Sequence, residues 1–565
     1  MAEISSSADK ESFIPRSFQL YRQGYGSGLF IKDFIAGLTV GIVALPLAMA
    51  FGIASGVTPD RGLFTAIVAG FLISFLGGSR FQIGGPTGAF VVIIFNVIYK
   101  HGYDGLVVTT LMAGVLLLVF GLCRLGSLIK YIPHPVTTGF TTGIAVLIFS
   151  SQMKDFFGLE MDAVPPEFFD KWEAYAHHAA SLHPTTLAIG IGALASILVV
   201  RRFVPRVPGP VIGVVLASVT VWLFGLDVET IGSRFGGIPS ELPSLTFPTV
   251  TLEQVRVLLP DAMTIALLAG IESLLSCVVA DGMTGDKHNS NVELSAQGVA
   301  NIASVLFGGI PATGAIARTV TNIRSGGQTP VAGIVHAIVL VAFVLYLAPL
   351  ASFIPLASLA AVLLVVSWDM SELQKFLRVF KAPKSDSSVM VLTFVLTVVV
   401  DLTVAVYVGV LLAAILFMRR MSEVTAITSC ELSEMAGATG AGFRDLAIPD
   451  GVRVYEIDGP FFFGVADRFQ NVLSFLEEQP RVFILRMRKV PAVDSSGVNA
   501  LETFVRRCKT RGVHVVMSGV RDRARIVFER MGTEDLIGSE NICANIDCAL
   551  LRAKQLLEVE QGAHQ

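Results

Sequence analysis

Apolar stretches dominate the chain from residue 34 to residue 419, separated by short polar connections. They run roughly 34–54, 62–78, 105–122, 134–151, 186–203, 209–225, 261–280, 331–350, 355–369, 387–402 and 403–419. A membrane-crossing helix needs about 20 mainly apolar residues, a length most of these segments approach. Two more segments, near 86–99 and 312–323, are short and broken by glycine, and a weaker, small-residue segment covers about 294–308. The pattern predicts about fourteen elements in an α-helical polytopic membrane domain over 34–420. The preceding segment, 1–33, is polar and has no early apolar run of the secretory type.

Beyond residue 420 the period changes. Residues 421–449 hold no long apolar run and read as a linker. Three strand-type runs follow, VRVYEI, RVFILRM and HVVMSGV. The helical patterns VADRFQNVLSFLEE, SGVNALETFVRRC and RARIVFERM separate them. Such alternation predicts a small, soluble α/β domain over 450–560, with at least part of its sheet parallel.

Composition agrees with a membrane protein. Of the 565 residues 53% are hydrophobic and only 15% charged, against roughly a quarter charged in soluble proteins. A net charge of −3 gives no reason to expect a nucleic-acid partner. The six cysteines show no paired spacing, so neither a disulfide framework nor a zinc site is expected. The chain carries no nucleophile–base constellation, phosphate-binding loop or metal cluster, so an enzyme is not expected, nor a bound cofactor. If the N-terminus is cytoplasmic, the cytoplasmic connections hold Arg80, Arg124, Lys130, Arg201, Arg202, Arg206, Lys287, Arg324, Lys375, Arg378, Lys381, Lys384, Arg419 and Arg420. The opposite connections hold only Arg61, Lys100, Lys154, Lys171, Arg234 and Arg256. This bias puts both termini, and hence the α/β domain, on the cytoplasmic side of a plasma membrane.

Chemistry concentrates in the broken segments. GGPTGAF, Gly84 to Phe90, is echoed by GGIPATGAI, Gly308 to Ile316. Each occupies a short, broken element, one third in order and the other tenth, which correspond in a 7+7 inverted repeat. Broken helices in such repeats meet near the bilayer midplane with their N-termini facing one site. Two positive helix ends and Arg318 would suit an anion. A bare packing role for these glycines, or a structural role for Arg318, is the competing reading. Glu272 lies mid-helix in AMTIALLAGIESLLSCVVAD. An ionised, unpaired carboxylate is expensive there, which makes it a proton-coupling candidate. The alternative is a Glu272–Arg318 salt bridge that holds helices together. Asp281, Asp286, His288 and His134 read as loop or structural residues.

Taken together, five motifs carry a resemblance: PLAMAFGIASGVTPDRGLFTAIVAGFLISFLGGS, GGPTGAF, IESLLSCVVADGMTGDKHNSNVELSAQGVAN, GGIPATGAIARTVTN and VYEIDGPFFFGVADRF, the last joined by VDSSG. The chain resembles the SulP family of anion transporters, with a C-terminal STAS domain, and most closely its bacterial sulfate, dicarboxylate and bicarbonate members. The resemblance implies fourteen transmembrane helices in core and gate domains, an elevator-like cycle and a homodimer. It implies a substrate site at Leu47, Phe51, Thr87, Gly88, Ala89, Ala315, Ile316, Ala317 and Arg318. Many animal members have serine where Ala317 stands and glutamine where Leu47 stands, so backbone N–H groups, Thr87 and Arg318 carry more of the binding here. Sodium-coupled bicarbonate members have aspartate at Glu272 and threonine at Ser276. Glutamate matches the proton-coupled members better, so the co-transported ion expected is H+, with Na+ as the alternative. In stand-alone STAS proteins the DSSG loop carries a phosphorylated serine, which makes Ser495 or Ser496 a candidate regulatory phosphosite. A helix N-cap by Asp494 or Ser495 is the plainer role.

The expectation is a secondary active symporter of sulfate, a C4-dicarboxylate or bicarbonate. The alternatives are a passive anion channel, a sodium-coupled bicarbonate symporter, or a membrane-tethered regulator whose STAS domain recruits a cytosolic protein partner.

Overall fold

The computed structural model of the chain describes residues 13–129, 133–161, 164–204, 207–429, 448–462 and 480–563. The long apolar segments named above fall on helices, and the short one near 312–323 begins as a strand and becomes helix at Ile316. Eight described helices are long and apolar enough to cross a membrane unaided, and Gly209–Phe224 and Val331–Tyr346 are shorter apolar helices. The chain divides into two compact units, Met1–Leu411 and Leu412–Gln565.

In the first unit the segments near 86–99 and 105–122 are two arms of one element, Gly88–Leu122. The two arms are separate helices that break at Gly102, whose φ of 70° lies where only glycine is at ease. The helix around Glu272 is longer than its apolar stretch: it runs Leu252–Thr284, opened by a capping box between Thr251 and Gln254. Helices sort into two packing groups. One holds Ser27–Ala54, Pro59–Leu76, Gly88–Leu122, Leu252–Thr284, Ser290–Leu306 and Val331–Tyr346, and takes in the short Ile316–Arg324. The other packs His134–Ser151, Pro184–Phe203, Gly209–Phe224, Leu356–Met370 and Lys384–Val399. Small residues allow close crossings within the first group. A Cβ on Gly298 would lie 2.6 Å from the carbonyl of Gly114, and one on Gly114 2.9 Å from that of Gly298.

The second unit is a five-stranded sheet. Its strands Val452–Asp458, Val482–Lys489, His514–Ser518 and Ile542–Cys543 pair in parallel, in chain order. At its edge Ala426–Ser429 pairs antiparallel with Val452–Asp458. This corrects the expected linker over 421–449: the Leu402–Val424 helix continues into it, and AITS is a sheet strand. Four residues with two polar members are too short to announce a strand by pattern; backbone pairing supplies what the side chains do not signal. The rest of that linker, the pattern VADRFQNVLSFLEE, and Lys130 and Arg206 lie outside the described residues. The core beneath the sheet is built on Phe461, Phe483, Phe504 and Phe528, all fully buried.

The DSSG loop starts the helix Ser495–Thr510. Asp494 is its N-cap and accepts a 2.7 Å hydrogen bond from the Gly497 N–H, while Ser495 and Ser496 are exposed. Asp494→Ala is expected to lower this unit's stability by about 1 kcal/mol, and Asp494→Asn by less. The unit's urea unfolding midpoint measures both.

Candidate anion-binding site

The two echoed motifs meet. Gly84–Gly85 and Thr313–Gly314 form a two-stranded antiparallel ribbon, with Gly84 opposite Gly314 and Gly85 opposite Thr313. Each strand leads straight into a helix: Gly88 begins one, with Thr87 at its N-cap, and Ile316 begins the other, with Ala315 at its N-cap. Neither cap residue satisfies its helix's first turn through a side chain, so both helix starts keep backbone N–H groups for another acceptor. The literal echo is out of step with this geometry. Thr87 caps a helix, whereas its echo Thr313 lies in the ribbon, two residues ahead of the cap.

Neighbouring helices hold the ribbon in place. Thr313 Oγ1 donates to the Ala269 carbonyl at 2.9 Å, and the Gly314 N–H donates to Ser273 Oγ at 2.9 Å. Asn301 brackets Ala312, donating to its carbonyl at 2.8 Å and accepting from its N–H at 2.9 Å. A helix break inside the membrane needs such partners, because hydrocarbon offers none.

Arg318 is 2% exposed. Its guanidinium reaches across to the other motif, donating to the Pro86 carbonyl at 2.7 Å and lying 3.5 Å from that of Gly84. Gly85 makes room for it: at φ +145°, a Cβ there would sit 2.3 Å from Arg318 Nη1. Glu272, partly buried, accepts a 3.2 Å hydrogen bond from Thr87 Oγ1. The salt bridge considered between Glu272 and Arg318 is not made; each charge is tied instead to the Pro86–Thr87 stretch. Arg318 therefore joins the motifs whatever else it does, while Glu272 is bonded to the cap of the Gly88 helix.

The other expected residues separate. Phe51, 6% exposed, faces the start of that helix: a Cβ on Gly88 would meet Met370 Sδ at 2.7 Å, Ile148 Cδ1 at 3.2 Å and Phe51 Cε1 at 3.4 Å. Met370 and Ile148 belong to the second packing group, so this helix start lies on the seam between the groups. Leu47 and Ala89 are buried, whereas Ile316 and Ala317 are exposed. Ser276 is turned away: its hydroxyl donates to Thr319 Oγ1 at 3.2 Å, and Thr319 accepts from the Ile83 N–H.

A second buried acid escaped sequence reasoning. Glu293, fully buried, accepts from the N–H groups of Gly78 and Ser79 and from the amides of Gln82 and Gln297, at 2.9–3.2 Å. Two donors on each oxygen leave it no vacancy, so it is a structural anchor for the turn ahead of Gly84. It stands in the first turn of Ser290–Leu306, where an acid is ordinary and draws no notice. The spacing of Glu293 and Gln297, four apart among small residues, was the only hint.

Gly85→Ala is expected to cost about 1–3 kcal/mol by overpacking against Arg318. Gly282→Ala, a helical position with open space around it, serves as the neutral control. Thermal midpoints in detergent compare the two.

The profile of the Sulfate permease family matches residues 30–393, and that of the STAS domain residues 444–549. The Bacillus subtilis protein YvdB, whose name assigns it provisionally to sulfate transport, is 42% identical over 92% of this chain and 97% of its own. The bicarbonate transporter BicA of Picosynechococcus is 32% identical over 87% of this chain and 90% of its own. The murine Solute Carrier 26 member A9 anion transporter, solved in an inward-facing state, superposes with a TM-score of 0.85 at 17% identity, over 98% of this chain and 96% of that one. That likeness extends the shared fold to nearly the whole chain.

Proposed function

The chain belongs to the sulfate permease family, and from that premise we propose that it carries a small oxyanion across the membrane by proton-coupled symport. The observation that carries this reading is the pair of uncapped helix starts, at Gly88 and Ile316, set side by side by the Gly84–Gly314 ribbon. Backbone N–H groups and the two helix dipoles are suited to an anion that has shed water. Arg318 adds a fixed positive charge behind the ribbon. The relatives' named substrates make sulfate and bicarbonate the first candidates.

Glu272 is the coupling group in this proposal. Its one hydrogen-bond donor, among the described residues, is the Thr87 hydroxyl, beside the helix start that receives the anion. A proton on Glu272 neutralises the acid as the anion enters, so the pair moves with little net charge. This removes a like-charge repulsion that would otherwise oppose binding. Movement of one helix group against the other, with the site at their seam, gives alternating access. The Phe51–Met370–Ile148 contact on Gly88 is where that seam closes. The lysine and arginine bias supports termini on the cytoplasmic side. Ser495 and Ser496 are exposed at the start of a helix, where the positive helix end offsets the repulsion between an added phosphate and the Asp494 carboxylate.

Uptake of labelled sulfate, succinate and bicarbonate into proteoliposomes tests the proposal, comparing an inward proton gradient with an inward sodium gradient. Concentration of one anion by protons alone is the expected result. Movement only down the anion's own gradient, indifferent to both cations, would make Glu272 structural and favour the channel.

Two variants follow from the geometry. Glu272→Gln is expected to keep anion exchange but lose proton-driven accumulation; accumulation that still follows pH would remove Glu272 from coupling. Arg318→Ala is expected to weaken anion binding about tenfold or more, the scale of a hydrogen bond to a charged group. Unchanged affinity would leave Arg318 as a tie between the motifs only.

A further inference from the structure

Four of the six cations that sequence places on the face opposite the basic connections line one cavity: Arg61, Lys154, Lys171 and Arg234. The cavity, about 530 Å³, lies between the two helix groups. Ile53, Val91 and Phe95 wall it on one side, Leu147, Ser151 and Thr397 on the other. A water occupies about 30 Å³ in the bulk liquid, so the space holds an oxyanion with part of its hydration shell.

The cavity leads toward the candidate site. Val91 is one helical turn beyond Gly88, Ile53 lies two residues past Phe51, and Leu147 adjoins Ile148. Phe51, Ile148 and Met370 pack on Gly88 itself.

Three of the cations are engaged. Arg234 pairs with Asp155 at 2.7 Å, Lys154 donates to the Met161 carbonyl at 2.6 Å, and Arg61 lies 3.4 Å over the Tyr103 ring while donating to the Gly308 carbonyl. Lys171 is different. Although the residue is 5% exposed, its ammonium makes no hydrogen bond or ion pair among the described residues, and lies 5.8 Å from the centre of the Phe95 ring. Asn96, next on that helix, also lines the cavity, and its amide is unbonded among the described residues. Burial pushes Lys171 down to about 8, against the pull of the nearby Glu167 carboxylate, so its charged form is held at a cost. An anion in the cavity would supply what it lacks.

We propose that this cavity is a staging site for small oxyanions, with Lys171 as the anion-holding cation and the Asn96 amide as a second donor. The proposal rests on the transport reading for the anion's class. It adds a second, outer position at which the anion waits before the Phe51–Met370–Ile148 seam opens.

Labelled-anion exchange across proteoliposomes, with inner and outer pH matched at each point, provides one test. Lys171→Gln is expected to raise the KM for anion offered on the Lys171 face about tenfold, as expected when a charge that concentrates substrate is lost. The maximal rate and the KM on the opposite face should stay near wild type. Lys171→Arg should keep wild-type affinity. The wild-type KM on that face should rise as pH climbs past about 8, where the ammonium loses its proton, whereas Lys171→Arg should not follow it. The other charged groups on the wall, Arg61, Lys154, Asp155, Glu167, Arg234 and Asp401, are common to both proteins, as is Tyr103, so that contrast isolates Lys171. An unchanged KM in Lys171→Gln, or an arginine variant that behaves like the glutamine one, would overturn the proposal.

A second test needs no transport and no variant. Acylation of Lys171 by an amine reagent near pH 8, read by peptide mass spectrometry, should be slowed several-fold by sulfate or bicarbonate, relative to gluconate at equal ionic strength. Equal rates would overturn the staging site even if transport proceeds. Protection without any transport would keep it and reject the carrier.

Discussion

The membrane unit depends on one constraint: backbone that leaves the helix inside hydrocarbon must find its hydrogen bonds in the protein. Two chain segments break helix at the same depth, and each is the other's partner through the Gly84–Gly314 ribbon. The rest of the arrangement serves that ribbon. Asn301, Ser273 and the Ala269 carbonyl hold its Thr313–Gly314 strand. Glu293 fixes the turn that delivers Gly84, and Arg318 ties down the carbonyls of Gly84 and Pro86. The opposite strand and these side chains together satisfy the ribbon, while the two helix starts keep no side-chain cap.

This division of labour explains why charge is tolerated in the unit's interior. Buried ionisable groups are stable when their lone pairs or protons are matched, and costly otherwise. Glu293 is fully matched and therefore structural. Glu272, with the Thr87 hydroxyl as donor, retains capacity for a proton. Arg318 sits between these cases, satisfied in part by carbonyls that belong to the opposite motif. A residue's place on that scale, rather than its charge, separates scaffold from chemistry.

The seam between the helix groups gives the chemistry a direction. Phe51, Met370 and Ile148 pack on the helix start at Gly88, and one turn on, at Val91, the helix lines a cavity whose wall carries four cations and three carboxylates. The same helix, from Gly88 through Val91 to Phe95, serves both compartments. The uncapped helix start and the cation-bearing cavity wall thus lie on successive turns of one element.

Much of this was legible in the chain alone. Apolar segment length marks membrane helices because the bilayer imposes it, and the change of period after residue 420 marks the α/β unit. Arg318, Glu272 and the glycine-rich breaks stood out because charge and irregular backbone are rare in apolar surroundings. What the chain could not disclose depends on pairing at a distance. The ribbon register shifts the echoed Thr313 away from the role of Thr87, and AITS becomes a strand only beside Val452–Asp458. The Glu272–Arg318 bridge, plausible from charge alone, is absent because each group has a nearer partner at Pro86–Thr87. Glu293, Ser276 and Lys171 took their meanings from neighbours that the fold brings from far along the chain. Sequence determines which groups are costly to bury; only tertiary structure decides which of them are satisfied, because hydrogen bonds act over about 3 Å and carry no trace in residue order.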